Sequence, residues 1–427
     1  MPFEIRGITP DEYQNFWNAI HIPFGEHPSD NSFEIWRSAS EFDRALAAVD
    51  PLEDDRTVGT AGAYSLELTL PGGRLVPVAG VTWVGVLPTH RRQGILTALM
   101  RRQLDEVAAR GEALAILTAS ESSIYARFGY GQATLAALWE IDHEHAAFAG
   151  QPPSSPSNEA GYGRASGRIR LMEHEEALGV LPPVYDRVRR LQPGAISRSP
   201  GYWSATLHGP YVANNGFGPR FYVTYISESG SVDGASYYRI KPSWDQGVPA
   251  HTLEVSELLA ASPAAYSELW RYLLSLDLVH TIRVVRRPVD EPVRWLLADP
   301  RRLRLSRLTD DLWVRLLDVE AALCARGYRT HDRLSFDVAD GFRPEVAGCY
   351  LLEAGPEGAE CRRIPAEAGT HADLSLDIGD LGSTYLGGAS FSTLARAGRV
   401  TEETPGALAR ADLLFSTDCA PYCGTPF

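Results

Sequence analysis

The sequence contains few cysteines, and none of them follows a pattern typical of a metal site or a disulfide framework. Its 427 residues include five, an odd number without CxxC spacing: Cys324, Cys349, Cys361, Cys419 and Cys423. The histidines form no HxxxH or HExxH group. We therefore expect no bound metal and interpret the cysteines as ordinary small buried thiols rather than as a redox pair.

Long apolar runs are also missing. No stretch approaches the roughly 18 consecutive apolar residues that a membrane-spanning helix needs. The opening Met1-Pro2-Phe3-Glu4 lacks the basic and then apolar pattern of a signal peptide. No GxSxG motif surrounds Ser120 or Ser122, which argues against a hydrolase nucleophile. We expect a soluble cytoplasmic protein of two to four domains.

Basic residues are fewer than acidic residues in this sequence. Forty Lys and Arg residues face 54 Asp and Glu residues, for a net charge of −14. This balance disfavours nucleic acid and anionic membrane surfaces as partners and favours cationic ones. Acidity that only improves solubility remains the alternative, because net charge does not say where the charges lie.

The clearest pattern lies between Val76 and Thr134. The apolar, β-branched run from Pro77 to Val86 predicts a strand that ends before Pro88. Apolar residues then recur at helical spacing until Gly111: Ile95, Leu99, Leu104 and Val107. A further strand is expected from Ala113 to Ala119, so the segment is a strand-turn-helix-strand unit.

The rest of the chain divides into two further segments. The run from Ala147 to Gly167 is rich in Pro, Ser and Gly and predicts a linker. We place domains at residues 1–150, 151–300 and 301–427. Helices and strands alternate in the second, and in the third the runs 312–316 and 333–338 predict strands before a Gly-rich turn within 381–397.

The turn Arg91-Arg92-Gln93-Gly94-Ile95-Leu96-Thr97 lies where the strand gives way to the helix. Free backbone N–H groups and the positive end of the helix dipole gather there, which suits a pyrophosphate. Gly94 permits close approach of the backbone, and the arginines add charge. Taken alone, the pattern equally fits a plain helix start with exposed arginines.

Two longer blocks of sequence give a more specific signal than this turn alone. The run from Val86 to Leu96, VLPTHRRQGIL, and the run from Ala119 to Gly131, ASESSIYARFGYG, resemble the Eis (enhanced intracellular survival) family of N-acetyltransferases within the GNAT superfamily. Leu96 replaces the small residue that ends the general GNAT motif, a departure that this branch shares. Residues 381–388 resemble the family's sterol-carrier-like domain, and Trp36-Arg37 its pocket entry.

The resemblance implies an α/β (α+β) fold of two GNAT-like domains, the second without a cofactor site, followed by a sterol-carrier-protein-like α+β domain, in a homohexamer. It also implies acetyl-CoA as cosubstrate and no metal. The resemblance assigns the contacts of acetyl-CoA to residues of the strand end, the turn and the second block: Val84, Gly85, Val86, Arg92, Gln93, Gly94, Ile95, Leu96, Thr97, Ser120 and Glu121.

The resemblance assigns two catalytic groups, Tyr125 as general acid and the terminal carboxylate of Phe427 as general base. A phenol of pKa about 10 suits protonation of a departing thiolate whose thiol has a pKa of about 8.5. A carboxylate of pKa about 3.5 is a weak base for an amine, so steering of the cation is its larger expected role. A core tyrosine and a frayed chain end are the structural alternatives.

Acceptor contacts are assigned by resemblance to Glu26, Trp36 and Trp83, a set suited to cations. Pro426 and Thr118 stand where some members carry an acidic residue and a histidine, which bears on aminoglycoside acceptance. We expect direct acetyl transfer to amines of small polyamine- or aminoglycoside-like cations. The alternatives are a non-catalytic CoA- or lipid-binding regulator and a protein lysine acetyltransferase.

Overall fold

The computed structural model describes residues 3–26, 30–143, 146–149, 167–208, 216–365 and 371–427. The helices are α1 (Tyr13–His21), α2 (Asp30–Ala39), α3 (Ile95–Ala109), α4 (Ser122–Tyr125), α5 (His174–Arg189), α6 (Pro200–His208), α7 (Pro263–Leu273), α8 (Val319–Ala325), α9 (Ile378–Tyr385), α10 (Phe391–Arg396) and α11 (Ala407–Leu414).

The strands are β1 (Glu4–Gly7), β2 (Leu46–Asp50), β3 (Arg56–Thr69), β4 (Leu75–Val86), β5 (Leu114–Thr118), β6 (Gly131–Gln132), β7 (Leu135–Asp142), β8 (Arg168–Met172), β9 (Arg220–Ile226), β10 (Val232–Lys241), β11 (Trp244–Asp245), β12 (Val248–Pro249), β13 (His251–Ala260), β14 (Val279–Arg287), β15 (Leu303–Asp310), β16 (Leu312–Leu316), β17 (Asp332–Ala339), β18 (Gly348–Gly355), β19 (Gly358–Ile364), β20 (Leu374–Asp377) and β21 (Val400–Glu402).

The chain folds into two compact units. The first comprises residues 1–134, 192–211 and 310–427, and the second comprises residues 135–191 and 212–309. None of the helices in the described part of the chain has the length and apolarity that crossing a bilayer requires.

The first unit is built on a sheet in the order β1-β2-β3-β4-β5-β16-β6. Its strands are antiparallel except for β4 and β5, which run parallel because α3 crosses between them. The helix turns its apolar stripe to the sheet, and Ile95, Leu99 and Leu104 are buried as their spacing predicts. Gly111 ends it with φ of +78°, a conformation that glycine adopts without strain.

Strand β16 joins the region after residue 310 to the first sheet. It pairs antiparallel with β5 from Leu312↔Thr118 to Leu316↔Leu114, and on its other side with β6. The buried helix α9 packs on this edge, where a Cβ added to Gly131 would lie 1.7 Å from the Gly379 carbonyl oxygen. Only glycine permits this approach between helix and strand.

The remaining five-stranded sheet of the first unit has the order β19-β18-β17-β20-β21. Apolar side chains from this sheet, from α8 to α11 and from β16 form one continuous core. The strands expected at residues 312–316 and 333–338 are present, and the Gly-rich turn at residues 387–388 separates α9 from α10. The third domain therefore shares its core with the strand that completes the first sheet.

The second unit contains the sheet β15-β7-β14-β13-β10-β9-β8, in which β13 and β14 run parallel and flank α7 in sequence. Its core includes Trp139, Leu269 and Trp270. Residues 150–166 of the predicted linker lie outside the part of the chain that the structure describes. Phe148 beside them is buried and forms an isolated antiparallel β-bridge with Leu297. The domain boundaries at residues 150 and 300 stay predictions.

Candidate active site

Strands β4 and β5 part within the first sheet. Their parallel register joins them at Ala79↔Ala115 and Gly80↔Ile116, and β4 continues to Val86 beyond this pairing. Residues 82–86 are half-buried, whereas 78–81 are buried. The main chain of Val84, Gly85 and Val86 therefore borders a gap in the sheet where an extended ligand can take the place of a strand.

A bulge shapes the same end of β4. The register with β3 shifts between Thr60 and Gly62, and Trp83 adopts a φ of +55°. The Thr60 hydroxyl donates a 2.7 Å hydrogen bond to the Trp83 carbonyl oxygen. A Cβ at Gly62 would lie 2.6 Å from the Trp83 ring, so the indole covers this glycine. Bulges of this kind redirect a side chain at a functional edge.

The turn before α3 contains two left-handed residues. Arg92 has a φ of +63° and Gly94, the N-cap of α3, a φ of +85°. Residues 91–94 and Thr97 are exposed, and the first turn of α3 carries no acidic residue. Because alternating backbone conformations turn successive N–H groups to one side, this loop has the donor chemistry of an anion site.

The two predicted arginines have different environments. Arg91 turns back toward the strand end, where its Nε and Nη2 donate to the carbonyl oxygens of Val86 and Pro23 at 3.4 Å each. Arg92 is exposed in the turn itself. Arg92 is therefore the more accessible of the two guanidinium groups, and the phosphate contact expected of it stays a prediction.

A shared apolar cluster brings several predicted site residues together. Val84, Leu96, Ala119 and Ile124 are partly buried against a core that contains Tyr125. Ile95 instead faces the sheet, within 3 Å of the position that a Cβ on Gly59 would take, so its side chain packs and only its main chain can face a ligand. Ser120 and Glu121 are exposed on the loop between β5 and α4.

Tyr125 ends the short helix α4 and is 6% exposed. Burial raises the pKa of Tyr125 to about 12, and the Glu121 carboxylate adds to this effect. Its ring meets Tyr130 edge to face at 6.1 Å. The phenol therefore stays protonated throughout the neutral range and can donate a hydrogen bond or a proton.

Tyr130 is a second buried phenol beside the first. Its hydroxyl has no hydrogen-bond partner within the described part of the chain. Burial raises the pKa of Tyr130, and the Arg315 guanidinium opposes that shift. Arg315 itself is fully buried with Asp340, at 2.5 Å between Nη2 and Oδ2. Sequence reasoning missed this ion pair, because Arg315 on β16 and Asp340 just after β17 are 25 residues apart and such a separation gives no local signal.

The end of the chain returns to the gap between β4 and β5. A Cβ on Gly80 would lie 3.2 Å from the Phe427 ring, and the Thr118 hydroxyl donates to the Phe427 main-chain oxygen at 3.4 Å. Phe427 is half-buried and packs against the continuous core that the first sheet shares with the region after residue 310. Thr118 is the last residue of β5, so the structure brings Phe427 to the point where the strands part.

The acceptor residues expected from the sequence are only partly brought together. Trp36 and Trp83 both pack on an aromatic cluster formed by α1, and Trp83 lies 5.2 Å from Tyr64 and 6.1 Å from Phe16 between ring centroids. Glu26 is exposed, and its amide donates to the His21 carbonyl oxygen. The two tryptophans expected to contact the acceptor therefore lie in aromatic surroundings, Glu26 lies at the surface, and their role in acceptor binding stays a prediction.

Known proteins share this architecture throughout. Family models match an acetyltransferase (GNAT) domain at residues 4–133, another at 194–316 and a sterol carrier protein domain at 319–424. An uncharacterized N-acetyltransferase of Streptomyces avermitilis is 38% identical over 99% of both chains. N-acetyltransferase Eis of Mycobacterium tuberculosis is 32% identical over 96% of both chains.

A solved structure agrees with these relatives. Eis1 from Mycobacterium abscessus superposes with a TM-score of 0.82 at 35% identity and covers 100% of both chains. The chain belongs to the Eis family of N-acetyltransferases. The fold expected from the sequence, two GNAT domains followed by a sterol-carrier-like domain, is confirmed, and so is the assignment as an acyl-transferring enzyme.

This Eis-family chain has one cluster of possible metal ligands among its described residues. Asp50, Glu53 and His90 place ligand atoms within 4.8 Å of one another, close to the turn before α3. Asp50 already accepts from the Leu52 amide and lies 3.3 Å from His90, while Glu53 contacts Arg56. These contacts account for the cluster as bracing of the loop, and the expectation of no metal stays a prediction.

Proposed function

We propose that the protein transfers the acetyl group of acetyl-CoA directly to an amine of a small polyamine- or aminoglycoside-like cation, with both substrates bound together. The parting of β4 and β5 beside the left-handed turn at Arg92 and Gly94 carries this proposal. It combines a main-chain edge for an extended amide-containing arm with a set of N–H donors for a pyrophosphate.

The residues assigned to the cosubstrate fall along this edge. Val84, Gly85 and Val86 supply main-chain groups, and the turn from Arg92 to Thr97 supplies N–H groups and one exposed guanidinium. Ser120 and Glu121 border the opposite side after β5. Acetyl-CoA contributes an activated thioester, whose carbonyl carbon takes the amine and whose sulfur departs.

Tyr125 supplies the proton that the departing sulfur needs. A phenol of pKa about 12 is a weaker acid than a thiol of pKa about 8.5 in water, so full transfer before bond cleavage is unfavourable. Apolar surroundings raise the pKa of the thiol as well, which reduces the mismatch. We therefore assign Tyr125 a donated hydrogen bond that becomes proton transfer as the carbon–sulfur bond breaks.

The Phe427 carboxylate acts on the other substrate. An ammonium ion is attracted to it electrostatically, and the amine must lose a proton before it attacks. Through a water molecule the carboxylate can accept that proton, although its low basicity makes attraction and orientation its larger contribution. Trp36 and Trp83 add aromatic faces for the cation, and Glu26 adds charge at the rim.

The lipid-binding alternative is disfavoured by the interior of the third domain. Arg326 lies there 1% exposed, with its guanidinium 4.8 Å from the Tyr328 ring centroid and 4.6 Å from that of Phe415. Its Nε donates to the Tyr385 carbonyl oxygen at 2.8 Å. Phe336, Phe391 and Phe415 pack together beside it. Around Arg326, side chains of the described residues occupy the interior in place of a lipid chain.

Two tyrosine variants test the proposal. Tyr125→Phe removes the donor, and we expect turnover to fall about a hundredfold or more while acetyl-CoA binding is retained. Tyr130→Phe is the matched control, because its hydroxyl has no partner among the described residues, and it should keep most activity. Release of CoA thiol is measured with aminoglycosides, spermidine, an arylalkylamine and a lysine peptide. Undiminished turnover in Tyr125→Phe would contradict the role of Tyr125 as proton donor.

The same panel separates the candidate functions. Preference for the multi-amine compounds supports the proposed acceptor class, and preference for the peptide supports lysine acetylation. Absence of turnover with acetyl-CoA still bound supports a regulatory binding protein. We further propose that the protein is a cytoplasmic homohexamer, as the family resemblance implies. Light scattering after size-exclusion chromatography measures the molar mass and so tests the hexamer.

A further inference from the structure

Residues 192–198 form a strap beside β3 in the first unit. The Thr69 amide donates to the Ala195 carbonyl oxygen, and the Gly194 amide donates to the Thr69 carbonyl oxygen, both at 2.8 Å. The Ser197 amide donates to the Glu67 carbonyl oxygen at the same distance. The strap is thus fixed to the strand that pairs with β4.

The strap also holds the terminal segment, residues 417–427, which has no regular secondary structure. The Tyr422 amide donates to the Pro193 carbonyl oxygen at 2.8 Å. Gln192 Nε2 donates to the Ala420 carbonyl oxygen at 2.9 Å. These bonds attach the middle of the segment to the sheet, but they leave its last residues to be held by other groups.

Arg198 contacts the terminal segment close to the chain end. Its Nε donates to Thr425 Oγ1 at 3.0 Å, and Thr425 is 1% exposed, two residues before Phe427. The guanidinium carbon lies 4.8 Å from the Trp203 ring centroid and 5.5 Å from that of Tyr202. These rings restrict the arginine side chain, so its hydrogen bond has a fixed direction.

The rings that hold Arg198 belong to α6, which packs on α2. A Cβ on Gly201 of α6 would lie 3.1 Å from the Ala39 Cβ of α2, so the helices approach closely there. Helix α2 carries Trp36, one of the proposed acceptor contacts. The segment of residues 192–208 therefore contacts both the helix that carries Trp36 and the segment that ends in Phe427.

We propose that Arg198 is a positioning residue that sets the place of the Phe427 carboxylate through its hydrogen bond to Thr425. This inference rests on the proposed function of Phe427. A chain end without secondary structure frays unless side chains hold it. A carboxylate displaced by about 1 Å loses much of its effect on a reacting amine, since catalysis depends steeply on geometry.

A double-mutant cycle tests this link. The four proteins are the wild type, Arg198→Met, a chain lacking Phe427, and the combination. We expect Arg198→Met to lower kcat/KM for the amine about tenfold or more, with the KM for acetyl-CoA unchanged. In the chain that lacks Phe427, the same substitution should change kcat/KM less than about twofold, because the group that it positions is gone.

Thr425→Val provides a second and nearly isosteric probe. It removes the acceptor hydroxyl while keeping the buried volume, and it should reproduce the kinetic effect of Arg198→Met. Arg198→Lys, which keeps a cation over the rings, should recover part of the activity. Gln192→Leu is the matched control, because it removes a strap contact five residues further from the carboxylate and should have the smaller effect.

The outcomes separate the inference from the function on which it rests. Full activity without Phe427 overturns both the carboxylate role and the positioning role. Impairment without Phe427, combined with normal kinetics in Arg198→Met and Thr425→Val, overturns the positioning role alone. Equal losses from Arg198→Met with and without Phe427 also overturn it, because a purely structural effect would persist in both backgrounds.

Discussion

Tyr125 is the residue whose environment bears most directly on the pH dependence of the enzyme. Burial raises the pKa of its phenol to about 12. The phenol is therefore protonated below that pH, and it loses its proton, and with it the ability to donate, only as pH rises through about 12. The amine acceptor becomes reactive as it loses its proton. We expect kcat/KM to rise with pH and then level off, with no decline up to about pH 10.5.

The measurement is a rate profile from pH 6.5 to 10.5, with circular dichroism at each pH to show that the protein stays folded. Tyr125→Phe should lower the whole profile without changing its shape. A decline centred near pH 10 in the wild type that vanishes in Tyr125→Phe would mean that the phenol has an ordinary pKa. In that case Tyr125 would not be desolvated in the working enzyme.

Sequence patterns and structure differ in what they show about single residues. The family-like block around Tyr125 identifies the residue, but its burial follows from contacts with strands far along the chain. Left-handed backbone at Trp83 and Arg92 has no sequence signal, since only glycine, asparagine and aspartate favour that conformation. The roles of Tyr125 and Phe427 themselves stay predictions until the variants are measured.

Helix α3 and the turn before it form the element to which we assign the pyrophosphate of the cosubstrate. Gly94 has a φ of +85° and open space around its Cα, so an added methyl group meets no neighbour and acts through backbone strain alone. We expect Gly94→Ala to raise the KM for acetyl-CoA about tenfold, because the strained turn relaxes and its N–H groups lose their common direction.

Gly111 supplies the matched control at the other end of the same helix. It has a φ of +78° and equally open surroundings. Both substitutions should lower the free energy of unfolding by about 1–2 kcal/mol in urea titrations. Only Gly94→Ala should weaken acetyl-CoA binding, as measured by calorimetry. Equal KM values for the two variants would contradict the anion-binding role of the turn.

The secondary structure of this element was accessible from sequence because its signals are local. Apolar spacing predicted a helix that ends at Gly111, and the observed α3 spans Ile95–Ala109. The strand at residues 312–316 was also predicted. Its position in the first sheet was not, because its partner β5 lies about 200 residues earlier and pairing over such a separation leaves no local pattern.

At the scale of the whole molecule, the first unit is assembled from three stretches of chain that are distant in sequence. The third stretch contributes β16 to the sheet, α9 to its buried edge and Phe427 to the gap between β4 and β5. The strap adds a fourth connection through Arg198. The region after residue 310 is therefore a structural part of the first unit and not a separate attachment to it.

This dependence on β16 can be tested by cutting the chain on either side of that strand. A fragment of residues 1–309 lacks β16, which leaves β5 with an unpaired edge and an exposed apolar face, both of which promote aggregation. A fragment of residues 1–318 keeps the strand and differs by nine residues. We expect the shorter fragment to be insoluble and the longer one to give the higher soluble yield.

Neither fragment contains Phe427, so neither should acetylate amines at more than a small fraction of the full-length rate. Supplying residues 319–427 in trans should restore activity to the longer fragment only, because that pair regenerates the continuous core and returns the terminal carboxylate to Thr118. A soluble fragment 1–309 that unfolds cooperatively in urea would show that the first sheet is complete without β16. The third domain would then be an appendage, and the role of Phe427 would need a contact formed in some other way.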